Sequence, residues 1–134
     1  MNDFTSRGMS DLLYDTLSII KDNGINNTEA TTELPSTESV FPCRVLCTPN
    51  ESILKSQNGI PILKDFQMTI EHWSDKSRFC MDMASNTDKA LQKYNILRTN
   101  TQQLLQDNIT NKYRLITIYE VHYNAITNSF EPIK

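Results

Sequence analysis

The chain has 134 residues, about the length of one ordinary domain, and a single hydrophobic core can form at this size without disulfides or structural metals. Acidic residues outnumber basic ones by 16 to 13, so no overall positive field exists to hold a polyanion, and nucleic-acid binding is disfavoured as the main activity. An odd number of cysteines, three, and a start without the apolar core of a secretion signal favour a reducing cytoplasm. No apolar run approaches the roughly 18 residues that span a membrane, so we expect a soluble protein.

The first predicted element is a short amphipathic helix at about residues 10–21. Ser10 is placed to cap its start, Gly24 follows its end, and apolar residues recur between them at helical spacing. The next stretch, 23–39, consists almost entirely of Asn, Thr, Glu, Ser and Pro and has too few large apolar residues to anchor a packed element. It is predicted to be a mobile connector.

Two strands separated by an exposed loop are predicted next. Residues 40–47 read as a strand. Pro42 near its start suggests an edge position or the entry to the strand, because proline cannot donate a backbone hydrogen bond to a ladder. Residues 48–59 are polar and rich in turn formers, which predicts an exposed loop. Residues 60–73 alternate with period two. The alternation predicts an inward face of Phe66, Met68, Ile70 and His72 and a mostly wet face of Gln67, Thr69, Glu71 and Trp73.

The second half of the chain predicts a helix followed by a central strand. Ser74 is placed to cap the helix, whose buried face is predicted from spacings of three and four as Cys80, Met83, Ala84, Thr87, Leu91 and Tyr94. A polar connector at 95–112 leads to 113–123, which is β-branched and aromatic on both faces and suits a central strand. A short last strand is predicted around Phe130.

The element order α-β-β-α-β-β predicts an α+β fold. In this fold a small mixed, mainly antiparallel sheet of about four strands carries helices packed on one face. We expect a single domain over 1–134, with the sheet and its helix at 40–133.

The residues offer little chemistry. With three glycines, no phosphate-cradling loop can be written. The two histidines are interpreted as strand residues, His72 at the end of the apolar face and His122 as a cross-strand partner near the sheet surface. Carboxylates fall in turns and on exposed faces, and no pair is predicted to work together as acid and base.

A zinc site built from Cys43, Cys47, Cys80 and the histidines is not supported by spacing. Cys43 and Cys47 are four residues apart, about 13 Å along a strand, which is too far for both to bind one tetrahedral ion. The cysteines are interpreted as reduced, half-buried thiols. We therefore predict no catalytic residue, no cofactor and no metal site, and a protein that is not an enzyme.

The aromatic residues divide into two groups. Tyr113, Tyr119 and Tyr123 share one face of a predicted central strand and are interpreted as core residues rather than as a stacking platform for bases. Trp73 lies on the polar face of its strand, and two interpretations are equally open. It either marks a contact with a partner or covers the end of the following helix.

The segment 41–133 resembles the tail-completion, or tail-terminator, proteins of long-tailed bacterial viruses. The pieces that carry the resemblance are FPCRVLC, PNESILKSQNGIP, FQMTIEHWSDKS, RFCMDMASNTDKALQKY and NKYRLITIYEVHYNAITNSFE. They follow that family's order of short strand, loop, long strand ending in an aromatic residue, helix, polar linker and strand. The helix at the start of the chain also fits.

The resemblance implies a structural virion protein at the head-proximal end of the tail, made in the cytoplasm of a host bacterium. Its subunits are expected to form a six-fold ring on the tail-tube protein, to stop tube growth and to offer a surface to the head connector or stopper, while DNA passes through without specific binding. Candidate subunit or partner contacts are the face Gln67, Thr69, Glu71 and Trp73 and the loop residues Asn50, Glu51, Lys55 and Asn58, with the connector 23–39 as a further docking element.

Three other interpretations remain open. The chain is alternatively another head-tail joint, such as a stopper or adaptor. It is otherwise a small cytoplasmic enzyme or ligand-binding domain with a site built from the histidines and cysteines, or a regulatory adaptor that binds through an exposed strand edge.

Overall fold

The computed structural model describes residues 9–22, 29–31, 41–47 and 49–133. Within these ranges the chain forms two helices and eight strands. In chain order they are α1 (Met9–Asp22), β1 (Glu29–Thr31), β2 (Cys43–Leu46), β3 (Asn50–Gln57), β4 (Ile60–Ser74), α2 (Ser77–Gln92), β5 (Leu97–Thr101), β6 (Leu105–Gln106), β7 (Tyr113–Asn124) and β8 (Ser129–Glu131).

Strands β4 and β7 form the centre of a single sheet. They run antiparallel and pair without a break from Leu63 opposite Asn124 to Ser74 opposite Tyr113. Both strands are rich in β-branched and aromatic residues, which pack well on a pleated surface. Because both are long, each can carry several shorter neighbours along its outer edge.

The outer edges of this pair are each covered by separate short strands. β3 and then β2 pair with the free edge of β4, and β8, β5 and β6 pair with the free edge of β7. All of these pairings are antiparallel. β1 adds to β2 in the only parallel pairing among the described strands.

The predicted α+β class, with about four strands and helices packed on one face, is wrong. The described residues form one eight-stranded sheet in which seven strands are joined by antiparallel pairing, with only two helices. Two polar segments predicted to be connectors are strands: β3 lies in the predicted loop 48–59, and β5 and β6 lie in the predicted connector 95–112. Edge strands are held mainly by backbone hydrogen bonds to one neighbour, so their side chains can be polar, and the apolar pattern does not reveal them.

Strand β5 is held by side chains that sequence periodicity cannot show. The guanidinium of Arg98 forms an ion pair with Asp88 on α2, donating from Nε to Oδ1 at 3.0 Å. The hydroxyl of Tyr119 on β7 donates to the same Oδ1 at 2.5 Å. Asp88 therefore ties the helix to two neighbouring strands.

The other predicted elements agree with the structure only in part. The helix predicted at 10–21 is α1, one residue longer at each end. The central strand predicted at 113–123 is β7. The predicted cap at Ser74 is wrong, because Ser74 ends β4 and the residue before α2 is Lys76. Most of the connector predicted at 23–39 lies outside the described residues, and the part that is described is β1.

The hydrophobic core lies between the inner face of β4 and β7 and the helices. The inward face predicted for β4 is confirmed, since Phe66, Met68, Ile70 and His72 are all buried. The buried face of α2 comprises Cys80, Met83, Ala84, Thr87, Ala90 and Leu91, which contains five of the six predicted residues. Tyr119 and Tyr123 are also buried, which confirms them as core residues.

A buried polar network joins β2, β4 and α2. Arg44 donates from Nε to the hydroxyl of Thr87 at 2.8 Å and from Nη2 to the carbonyl of Met83 at 3.3 Å. The Thr87 hydroxyl also lies 2.9 Å from His72 Nε2, and His72 Nδ1 faces the carbonyl of Leu115 at 3.4 Å. This carbonyl can only accept, so the contact favours a proton on Nδ1 of His72.

The network makes stability depend on pH through His72. Burial, and then the positive charge of Arg44, lower the pKa of His72 from 6.5 to about 3. In the unfolded chain, His72 therefore binds a proton below about pH 6.5. In the folded chain, it binds that proton only when the pH falls to about 3. The stability that neutral His72 contributes is complete above pH 6.5 and is lost as the pH falls toward 3.

We expect His72→Gln to remove this component of the acid sensitivity. Between pH 6 and pH 4, the free energy of unfolding of the wild type should fall relative to that of the variant by about 1.4 kcal/mol per pH unit. Urea denaturation at several pH values measures this difference. His122→Gln, the matched control, should keep the wild-type contribution of His72. Parallel pH profiles for His72→Gln and the wild type would contradict the assignment.

Candidate functional site

The contact face predicted on β4 is only partly accessible. Gln67 is exposed and Thr69 is half-buried. Glu71 and Trp73 are 7% and 3% exposed, so the structure buries the two residues at the α2 end of this face. The prediction of a wet face is wrong for these two. Alternation along β4 assigned them to the correct side of the sheet, but it could not show what covers that side.

Trp73 is held inside a small cluster on the outer face of the sheet. It packs with Cys43 and Val45 of β2 and with Phe41, whose ring centroid is 6.4 Å away. Its Nε1 donates to Glu71 Oε1 at 2.9 Å, and the Arg114 guanidinium lies 5.5 Å from its ring centroid. The indole thus supplies a hydrogen-bond donor to the buried Glu71 carboxylate. This role is neither a contact with a partner nor a cover for the end of the following helix.

The predicted loop contacts lie on a β-hairpin formed by β3 and the first half of β4. Asn50, Lys55 and Asn58 are exposed, whereas Glu51 is partly buried and its Oε1 lies 2.9 Å from Lys64 Nζ. Asn58 and Gly59 form the turn with φ values of 53° and 77°. Such positive φ values at both central residues are typical of an Asn-Gly hairpin turn.

The hairpin also exposes apolar side chains that the sequence pattern does not reveal. Ile53, Leu54 and Ile60 are 56%, 49% and 65% exposed. The register shifts between Ile53 and Lys55, so Leu54 lies at an irregularity in the ladder. Among the described strands, β3 pairs only with β4. Its other edge therefore offers unpaired backbone groups next to accessible apolar side chains.

A group of titratable side chains lies on the outer face of the sheet near the base of the hairpin. Asp65 of β4 is directly opposite His122 of β7, and Glu120 is opposite Gln67. The ligand atoms of Asp65, Glu120 and His122 all lie within 4.8 Å of one another. Sequence spacing indicated no pair of carboxylates for acid and base roles, but the register of β4 and β7 places Asp65 and Glu120 close together.

The carboxyl group of Asp65 has a raised pKa in this position. Burial, a hydrogen bond with Glu120 and the negative charge of Glu120 raise the pKa of Asp65 from 3.8 to about 7. His122 Nε2 lies 3.3 Å from Asp65 Oδ1, but this oxygen is buried and has no hydrogen-bond partner, so the imidazole is close without being aligned. The role predicted for His122, a cross-strand partner near the sheet surface, is confirmed.

The cysteines and the two histidines do not converge. Cys43, Cys47 and Cys80 form no disulfide. Cys43 packs beside Trp73 on the outer face, and Cys80 packs with Ala84 and Leu115 on the inner face. Cys47 Sγ lies 3.8 Å from Glu71 Oε2, and burial, followed by the charge of Glu71, raises the pKa of this thiol. These positions give no support to an enzyme or ligand site assembled from cysteines and histidines.

No protein-family model matches this sequence, and no curated protein is significantly similar to it. The resemblance to tail-completion proteins therefore stays a prediction from the sequence. Within the described residues, no helix has the length and apolar character needed to cross a membrane.

We expect Trp73→Phe to lower the free energy of unfolding by about 1–3 kcal/mol, because it leaves the buried Glu71 carboxylate without its indole donor. Gln67→Ala, on the exposed part of the same face, should change it by no more than about 0.5 kcal/mol. Chemical denaturation of both variants tests the prediction. Equal stability of Trp73→Phe and the wild type would show that Glu71 does not need the indole.

We expect Asp65→Asn to stabilise the protein more at pH 8 than at pH 4. A carboxyl group with a raised pKa binds its proton in the folded chain but not in the unfolded chain between about pH 4 and pH 7, so the stability of the wild type falls as the pH rises through this window. Melting temperatures at both pH values measure the change. Asp82→Asn, which replaces an exposed aspartate on α2 outside this cluster, is the control.

Proposed function

We propose that this chain is a structural virion protein that caps the tail tube as a ring, stops its polymerisation and joins the tail to the head connector. The proposal rests on the resemblance of residues 41–133 to tail-terminator proteins. The observation that supports it is the hairpin of β3 and β4, with its exposed Ile53, Leu54 and Ile60 and its unpaired edge.

An exposed apolar strand edge is a liability for a protein that works alone. Natural sheets usually protect their edges with charged residues, prolines or covering segments, because a free edge pairs with other chains. Here three large apolar side chains are accessible on one short hairpin. Burying them against an identical neighbour would make a head-to-tail contact, and repeated contacts of this kind close into a ring when the rotation between subunits is suitable.

The contact surface that we propose differs from the one expected from the sequence. Glu71 and Trp73 are buried inside the subunit and are no longer candidates. Asn50, Lys55 and Asn58 remain accessible beside the apolar residues of the hairpin. Exposed Gln67 lies directly opposite Asn50 across the β3–β4 ladder. These polar groups suit the rim of a subunit interface whose centre is apolar.

The proposed partners are further copies of this chain, in a six-fold ring like that of the resembled family, together with the tail-tube protein and the head connector or stopper. A formal net charge of -3 suits a channel through which DNA slides without specific binding. A stopper or adaptor at the same joint is the alternative, and it would use the same exposed edge for a different neighbour.

The deciding experiment mixes the purified chain with its polymerising tail-tube protein. Electron microscopy should show tubes capped at one end by a ring and limited in length. Tubes of unchanged length and with bare ends would sink the terminator proposal. Binding to the connector protein without any effect on tubes would favour the stopper or adaptor.

We expect Ile53→Asp to abolish ring formation while the subunit stays folded, because a charge would replace an apolar contact at the centre of the interface. Ile109→Asp is the matched control, since Ile109 is 77% exposed but lies next to the opposite end of β7. Analytical ultracentrifugation and the capping assay measure both variants. Loss of assembly in both, or in neither, would exclude the hairpin as the contact surface.

A further inference from the structure

The cluster of Asp65, Glu120 and His122 has a donor set suited to a metal ion. Two carboxylates and one imidazole face the same point on the outer surface of the sheet, with all ligand atoms within 4.8 Å of one another. Carboxylate oxygens and imidazole nitrogens bind zinc at about 2.0–2.2 Å. Small rotations about the side-chain bonds would therefore bring all three donors onto one ion.

Apart from His122, the residues paired with the two carboxylates across the sheet include no basic side chain. Across the sheet, Asp65 is paired with Ser52 and His122, and Glu120 is paired with Gln67 and Leu97. His122 is paired with a further carboxylate, Glu131 of β8. None of these paired residues is a lysine or an arginine. Lys64, the nearest lysine along β4, has its own ion pair with Glu51.

One oxygen in the cluster has a geometry that calls for a ligand. Asp65 Oδ1 is buried and has no hydrogen-bond partner, and the Asp65 side chain as a whole is only 14% exposed. A buried carboxylate oxygen without a donor costs free energy unless a proton or a cation neutralises it. His122 Nε2, at 3.3 Å, is close enough to bind the same ion but is not aligned to donate.

We propose that Asp65, Glu120 and His122 form a binding site for a first-row divalent cation, with zinc as the preferred occupant. The ion would link β4 to β7 at the base of the hairpin. Imidazole favours zinc over magnesium or calcium, which prefer sites made entirely of oxygen. With three protein ligands, a fourth position stays open to water or to a group from a neighbouring molecule.

The test is calorimetric titration of the metal-free wild-type chain with zinc chloride at pH 7.5. We expect one ion per chain, a higher melting temperature with zinc than with magnesium, and weaker binding at pH 6 because protons compete for the ligands. Asp65→Asn and Glu120→Gln should each weaken binding at least tenfold. Asp65→Asn is not expected to be unfolded, since it removes a destabilising carboxylate, and circular dichroism checks this.

Two controls separate this site from binding to thiols. Cys47→Ser should bind zinc as the wild type does. Cobalt, used in place of zinc, should give visible d–d absorption without the near-ultraviolet charge-transfer band of a thiolate ligand. No bound zinc, binding that Asp65→Asn leaves unchanged, or binding that Cys47→Ser removes would each overturn the proposal. The result is independent of ring assembly, because Ile53→Asp leaves all three ligands in place.

Discussion

The antiparallel pairing of β4 with β7 is the interaction on which the rest of the structure depends. Its twelve residue pairs set which side chains face the helices and which face outward. The pairing places Met68 beside Tyr119 and Ile70 beside Thr117 on the inner face, where α2 covers them. A slip of one residue would turn every one of these side chains to the opposite face. The core and the outer surface are therefore fixed by one register.

The hairpin follows from a difference in length between these two strands. β4 begins at Ile60, but its pairing with β7 begins only at Leu63. The start of β4 thus extends past the end of β7, and among the described elements its only strand partner there is β3. Ile60 lies in this end of the hairpin, and its side chain is 65% exposed.

The sequence predicts the strands and helices that have one buried face, because burial of one face imposes a regular spacing of apolar residues. It predicts little else about the structure. Phe66, Met68 and Ile70 alternate because one face of β4 is covered, so this strand and its inner face could be read directly. Strand β3 could not, because its residues are mostly exposed and carry no alternation. The environment of Trp73 comes from Cys43 and Val45 on another strand. Likewise, Asp65 and His122 are neighbours only through a register that no local pattern encodes.

The enclosed position of Trp73 gives this protein a built-in optical probe. It is the only tryptophan of the chain, and it lies near the end of β4 opposite the hairpin turn. Unfolding exposes the indole to water and moves it away from Arg114 and Glu71, which should shift its emission to longer wavelengths. Contacts made at the hairpin leave those surroundings intact. Intrinsic fluorescence can therefore follow the folding of each subunit, without a label, while the subunits associate.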